Sequence, residues 1–220
     1  DTPGHTDFSS EMERTLQVLD YAVLVVSGAD GVQAHTMTLW KLLAHYGIPV
    51  FVFVNKMDQP AAERGKLLKE LSEQLGGGVF ADFGGARGGE AGTGGSEDSE
   101  SVAGRKMHAN VPAGRWAFDE TNAEEIAATN ETLMEEYLTD GSFCEESLLT
   151  AVAKRELFPV FFGSALKMEG VAEFLDALGR LTAGRECGEG FGARVYKIGR
   201  DKQGSRMSYL RVTGGTLRNK

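Results

Sequence analysis

Cysteine is nearly absent from this chain, with two among 220 residues. Cys144 and Cys187 have neither the spacing of a metal site nor that of a disulfide framework, which points to a reducing, cytoplasmic setting. Long apolar runs are missing too. The longest, residues 21–26 and 48–54, have strand length and fall far short of the ~18 residues a membrane helix needs. No membrane partner is therefore expected, and no signal peptide is visible. Positive charge is in deficit, with 23 Lys and Arg against 32 Asp and Glu and a net charge of −9. The deficit is uneven. Residues 185–220 hold nine Lys/Arg against three Asp/Glu, a net of +6, which leaves −15 on residues 1–184. Two readings of that asymmetry stand: a basic strand pair with solvated charges, or a surface that faces a polyanion.

What is present reads as a globular α/β chain. Residues 8–19 suit a helix, with Ser9 and Ser10 as caps and Met12, Leu16 and Leu19 on one face. Residues 21–26 and 49–54 are continuous apolar runs, as in parallel strands buried on both sides. Between them, residues 35–45 suit a helix that ends before Gly47, and residues 61–75 suit another, with Leu67, Leu68, Leu71 and Leu75 in register. Strand, helix, strand, helix with short loops predicts a doubly wound sheet, whose chemistry sits at the carboxyl ends of its strands.

That alternation then breaks. Residues 76–95 include ten glycines, followed by an acidic, Ser-rich run. Such a composition buries too little apolar surface to offset chain entropy, so a mobile insertion is expected over about 84–105. The glycines lack the Lys-Ser/Thr that would make them a phosphate cradle. A helical subdomain is expected over about 110–156, with helices at 123–138 and 145–155. A third buried strand at 158–162 and a last helix at 171–181 complete a first domain, residues 1–184. Alternation at 193–198 and 206–212 around a polar turn predicts a long β-hairpin. It opens a second, all-β unit over 185–220.

Three polar motifs fall at predicted strand ends. Asn55-Lys56-Met57-Asp58 follows a buried strand. Guanine presents N1–H and its N2 amino group as neighbouring donors, and the Asp58 carboxylate can accept both in a charge-assisted pair. Adenine has no such pair. Asn55 can bridge the base and nearby loops, and the Lys56 stem can lie over the purine face. Gly163-Ser164-Ala165-Leu166-Lys167 leaves the third strand. By itself it is an ordinary small-residue turn. After Asn-Lys-x-Asp it suits a loop that closes over the base, with Ser164 and Ala165 offering a backbone N–H to guanine O6. Asp1-Thr2-Pro3-Gly4-His5 has the form of a γ-phosphate sensor, in which Gly4 donates its N–H to the phosphate and Asp1 stands on the Mg²⁺ side. His5 reads either as a polar surface residue or as a group that orients the attacking water. His35, His45 and His108 belong to no constellation.

Residues 1–8, the stretch Asp30-Gly31-Val32-Gln33-Ala34-His35-Thr36 and Gly163–Lys167 together resemble the translational GTPases of the elongation factor G group. Met134-Glu135-Glu136-Tyr137-Leu138 and Leu157-Phe158-Pro159-Val160 are most similar to the tetracycline-resistance ribosomal protection branch. The resemblance covers nearly the whole chain except the Gly-rich stretch. It implies a P-loop NTPase-type G domain followed by the start of a β-barrel domain. It also implies a ribosome-dependent GTPase that binds GTP or GDP with Mg²⁺ and contacts ribosomal RNA and proteins. By position, His5 is then the catalytic residue, and Asp1 holds Mg²⁺ through water. Gly4 senses the γ-phosphate, Asn55, Lys56 and Asp58 bind guanine, and Ser164 and Ala165 close the pocket.

Gly-x-x-x-x-Gly-Lys-Ser/Thr, which cradles the phosphates of such proteins, does not occur in the chain. The G domain is therefore expected to be N-terminally truncated. These 220 residues alone are expected to bind guanine nucleotide weakly and not to hydrolyse it. Dimerisation through an exposed sheet edge is a further expectation. The alternative is a non-catalytic ribosome- or RNA-binding module that keeps part of the scaffold. Elongation, release and tetracycline-resistance roles all remain open within the first reading.

Overall fold

The structure, a computed structural model, describes residues 14–88, 111–184 and 187–218. Asp1, Gly4 and His5, most of the expected helix at 8–19, and the expected mobile stretch beyond residue 88 lie outside the described residues. Only residues 14–16 of that helix are seen, as one helical turn.

Among the described residues, a four-stranded parallel sheet forms the central layer. Its strands are β1 (Ala22–Ser27), β2 (Val50–Asn55), β3 (Val79–Asp82) and β7 (Leu157–Phe162), in the spatial order β1-β2-β7-β3. β1 and β2 run in register from Ala22 opposite Val50 to Ser27 opposite Asn55. β2 shows why the sheet forms. Alternate side chains of a strand point to opposite faces. Val50, Val52 and Val54 enter one core with Trp40, Leu43, Leu67 and Leu71. Phe51 and Phe53 enter the other, with Phe161, Phe174 and Leu181. Both faces are covered, so the strand is apolar at every position from Val50 to Val54.

Helices α1 (Ala34–His45) and α2 (Arg64–Leu75) supply the first core. Helix α6 (Val171–Arg180) covers the second face through Phe174 and Ala177. Arg155 ties the layers at the other end of the sheet. Its guanidinium lies over Trp40 and Phe158, 4.9 and 5.1 Å from the ring centroids, and donates to the Ile48 carbonyl. Burial lowers its pKa below the ordinary arginine value.

Four expectations need correction. β1, expected to be buried on both faces, is buried on one: Leu24 and Val26 are buried, while Val23 and Val25 are exposed. β3 lies inside the Gly-rich stretch and pairs in parallel with β7. Phe80, Ala81 and Phe83 are buried there. Gly78 admits the strand, since a Cβ on it would stand 2.6 Å from the Glu156 carbonyl oxygen. β4 (Arg87–Gly88) then pairs with β5 (Arg115–Ala117), so order continues beyond residue 84, where the mobile insertion was expected to begin. The single helix expected at 123–138 is two, α3 (Glu120–Ala127) and α4 (Glu131–Asp140). Asn130 separates them. Its side-chain oxygen accepts from Leu133 N at 3.0 Å and caps α4. β6 (Phe143–Cys144) and α5 (Glu145–Ala153) complete this helical part.

The hairpin is present and longer than the alternation predicts. β8 (Gly192–Arg200) and β9 (Arg206–Gly214) pair antiparallel. Asp201 sets the turn, its Oδ1 accepting from Gln203 N at 2.9 Å and from Ser205 N at 2.8 Å.

Candidate functional site

The carboxyl ends of β1, β2 and β7 share one rim. Gly28 N, just past β1, donates to the Asn55 carbonyl at 2.7 Å. Gly163 N, just past β7, donates to Val54 O at 3.0 Å, and Met57 N donates to Gly163 O at 3.0 Å. The two predicted base loops are thus stitched together by backbone. Gly163 permits this approach. A Cβ on it would sit 2.1 Å from Glu169 O and 3.0 Å from the Phe53 ring, so no other residue fits without moving the loop.

Asn55 is the side chain that joins the loops. Its Oδ1 accepts from Lys56 N at 2.8 Å and from Ala165 N at 2.9 Å, across 110 residues of sequence. Both lone pairs of that oxygen are then used. Contact with a base falls to its amide nitrogen. Lys56 is held at φ 64°. The left-handed region costs a non-glycine residue roughly 1–2 kcal/mol, and such strain gathers at functional positions. Lys56 and Asp58 are exposed in this turn, as is Ala165 in the facing loop.

Ser164 is nearly inaccessible, at 1%. Its backbone forms a two-way bridge with Glu169, each N–H donating at 3.0 Å, and its hydroxyl accepts from Lys167 N at 3.4 Å. Ser164 therefore shapes the closing loop from within, while Ala165 forms its outer surface. The structure brings together Asn55, Lys56, Asp58, Ser164 and Ala165. Among the described residues no group of three His, Cys, Asp or Glu side chains is placed to hold a metal ion.

Sequence reasoning missed Glu70. From α2 its Oε1 accepts from Val32 N at 2.8 Å, in the loop after β1. Gly31, at φ 65°, packs on the same carboxylate, where a Cβ would stand 2.6 Å from each oxygen. Glu70 thereby ties the loop after β1 to the helix that follows Asn-Lys-x-Asp. A single Glu on a helix face carries no signal of this in sequence.

A parallel α/β sheet with an Asn-Lys-x-Asp turn and a Gly-Ser-Ala loop tied together at its carboxyl edge defines the class, a guanine-nucleotide-binding domain. Residues 1–183 match the Elongation factor Tu GTP binding domain, and the chain belongs to that family, the translational GTPases. It is 36% identical over 224 residues to the "Oxytetracycline resistance protein" of Streptomyces rimosus, covering 99% of this chain and 32% of that one. It is 34% identical over 234 residues to "Peptide chain release factor 3" of Streptococcus uberis, covering 98% of this chain and 44% of that one. A Streptococcus thermophilus protein of the same name is 39% identical over 180 residues, 80% of this chain and 34% of that one. The chain thus spans less than half the length of these relatives. A crystal structure of a Thermus thermophilus protein superposes with a TM-score of 0.69 over 98% of this chain and 35% of that one. At 22% identity it shows a shared fold.

Proposed function

We propose that the complete gene product carrying this chain is a ribosome-associated, cytoplasmic GTPase of translation. The observation that carries this reading is the Asn55 tie, which joins Lys56 to Ala165 at the carboxyl edge of the sheet, with exposed Asp58 two residues on from Lys56. The arrangement fits guanine. Asp58 accepts from N1–H and the N2 amino group, the Lys56 stem covers the ring face, and the Ala165 side of the loop closes the edge. Bound GTP supplies the phosphoryl group that is transferred to water. His5 would orient that water, Gly4 N–H would sense the γ-phosphate, and Asp1 would help hold a Mg²⁺ ion, which would offset the phosphate charge. These three roles rest on the motif at residues 1–5.

The rest of the reading follows the chain. A division near residue 184 into a G domain and an all-β unit is supported by the family match, which ends at residue 183. No helix among the described residues is long and apolar enough to cross a membrane. The hairpin tip presents exposed Arg200, Lys202 and Arg206, a fitting surface for ribosomal RNA because phosphate contacts dominate RNA affinity. The similarity to resistance and release proteins alike favours the ribosome as partner over either specific role. Two copies are further proposed to associate along β1, a terminal strand of the described sheet whose Val23 and Val25 are 41% and 59% exposed. Sedimentation of the 220-residue chain should then show dimer at micromolar concentration, and a dilute monomer would end that part.

The activity is tested by GTP hydrolysis of the complete gene product with and without ribosomes. Stimulation of at least about 1,000-fold is expected, the scale on which one supplied catalytic contact acts in phosphoryl transfer. Ribosome binding with no hydrolysis would instead identify a non-catalytic RNA-binding module.

A further inference from the structure

Arg194 of β8 and Arg211 of β9 stand directly opposite each other in the hairpin. Like charges in that position repel, so the pair needs acceptors. All of those shown lie in residues 17–20. Arg194 Nη1 donates to Gln17 O at 2.9 Å. Arg211 donates to Val18 O and forms an ion pair with Asp20. The two carbonyls follow the helical turn at 14–16. Carbonyls at a helix end lack intrahelical donors and attract cations. One further tie converges on the same place. Ala183 N, at the start of the join that leads to the hairpin, donates to the Tyr21 hydroxyl at 3.1 Å.

The base of the hairpin is therefore seated on the short segment between that helical turn and β1. The same segment continues the chain from Asp1–His5 and feeds the strand whose end forms the nucleotide rim. Two of the basic residues counted toward a polyanion-facing surface are thus used inside the molecule.

We propose that Arg194 and Arg211 are positioning residues. They clamp the hairpin to residues 17–20, and through that seat a polyanion drawn to the hairpin tip acts on the segment that follows the phosphate sensor. The coupling rests on the GTPase reading; the seat itself does not.

The test uses the complete gene product and two variants. One is Arg194→Gln with Arg211→Gln. The other is Asp20→Asn, which keeps both arginines. Hydrogen exchange should quicken about ten-fold at residues 17–21 and at Ala183 in the double variant, while amides of β2 and β7 keep their protection. Ribosome-stimulated kcat should fall about ten-fold in the double variant, with KM for GTP and the rate without ribosomes unchanged. Asp20→Asn should show both effects in the same direction and smaller. Arg211→Lys in place of the glutamine should recover part of the rate, because it can still pair with Asp20. Unchanged exchange at 17–21 overturns the clamp. Quickened exchange with full ribosome-stimulated turnover overturns the coupling and leaves a structural tie. If the unaltered protein shows no stimulated hydrolysis, the GTPase reading and the coupling fail together, and the exchange result still decides the seat.

Discussion

Asp58→Asn in the complete gene product is expected to weaken GTP binding about 100-fold, measured by calorimetry, through loss of roughly 3 kcal/mol of charge-assisted hydrogen bonding. The carboxylate accepts two neighbouring donors of guanine. An amide offers one acceptor and turns an NH₂ group toward the other donor. The loss should be confined to binding. Asp58 is exposed, and the turn that presents it is held by Met57 N to Gly163 O and by Asn55 to Lys56 N. None of those bonds uses the Asp58 side chain. Folding stability should accordingly move by less than about 0.5 kcal/mol, as for an exposed substitution. Unchanged GTP affinity in this variant would remove Asp58 from the site.

His5→Ala should do the converse. GTP affinity is expected to stay within about two-fold, while single-turnover hydrolysis on ribosomes falls about 1,000-fold, within the range a positioned acid–base or water-orienting group supplies. The reasoning is chemical. Phosphoryl transfer to water depends on aligning the water and stabilising charge around it, and an alanine does neither. A His5→Ala protein with full ribosome-stimulated turnover would sink the catalytic assignment and return His5 to an ordinary surface residue.

Much of the sheet was legible in sequence because burial on both faces leaves a plain trace. β2 reads Val-Phe-Val-Phe-Val, with its two residue types sorted to opposite cores. The base loops were legible for a related reason. Chemistry at strand ends needs particular side chains in particular order, and Asn55-Lys56-Met57-Asp58 and Gly163-Ser164-Ala165 directly follow buried strands. The tie between Asn55 and Ala165 was readable only as a general bridging role. The bond itself spans 110 residues and depends on β2 and β7 being neighbours.

Other features were hidden by competing signals. The many glycines of residues 76–95 hid the strand Val79–Asp82, which pairs with β7 where Gly78 clears its path. The helical pattern ran through residues 128–130, and the local cap at Asn130 overrode it. Charge counting treated residues 185–220 as one basic surface. Arg194 and Arg211 instead donate to carbonyls of another segment of the chain, a distinction that charge totals cannot make.

The most direct measurement of the central claim, that this rim reads guanine through Asp58, is the affinity of the Asp58→Asn protein for xanthosine triphosphate against GTP. Xanthine keeps N1–H but carries a C2 carbonyl where guanine has its amino group. The amide introduced at position 58 can accept from the first and donate to the second, which restores two bonds. The account predicts that the variant prefers xanthosine triphosphate over GTP by about 100-fold, while the unaltered protein prefers GTP by a similar factor. Equal affinity of the variant for both nucleotides, or an unaltered preference for GTP, would contradict it.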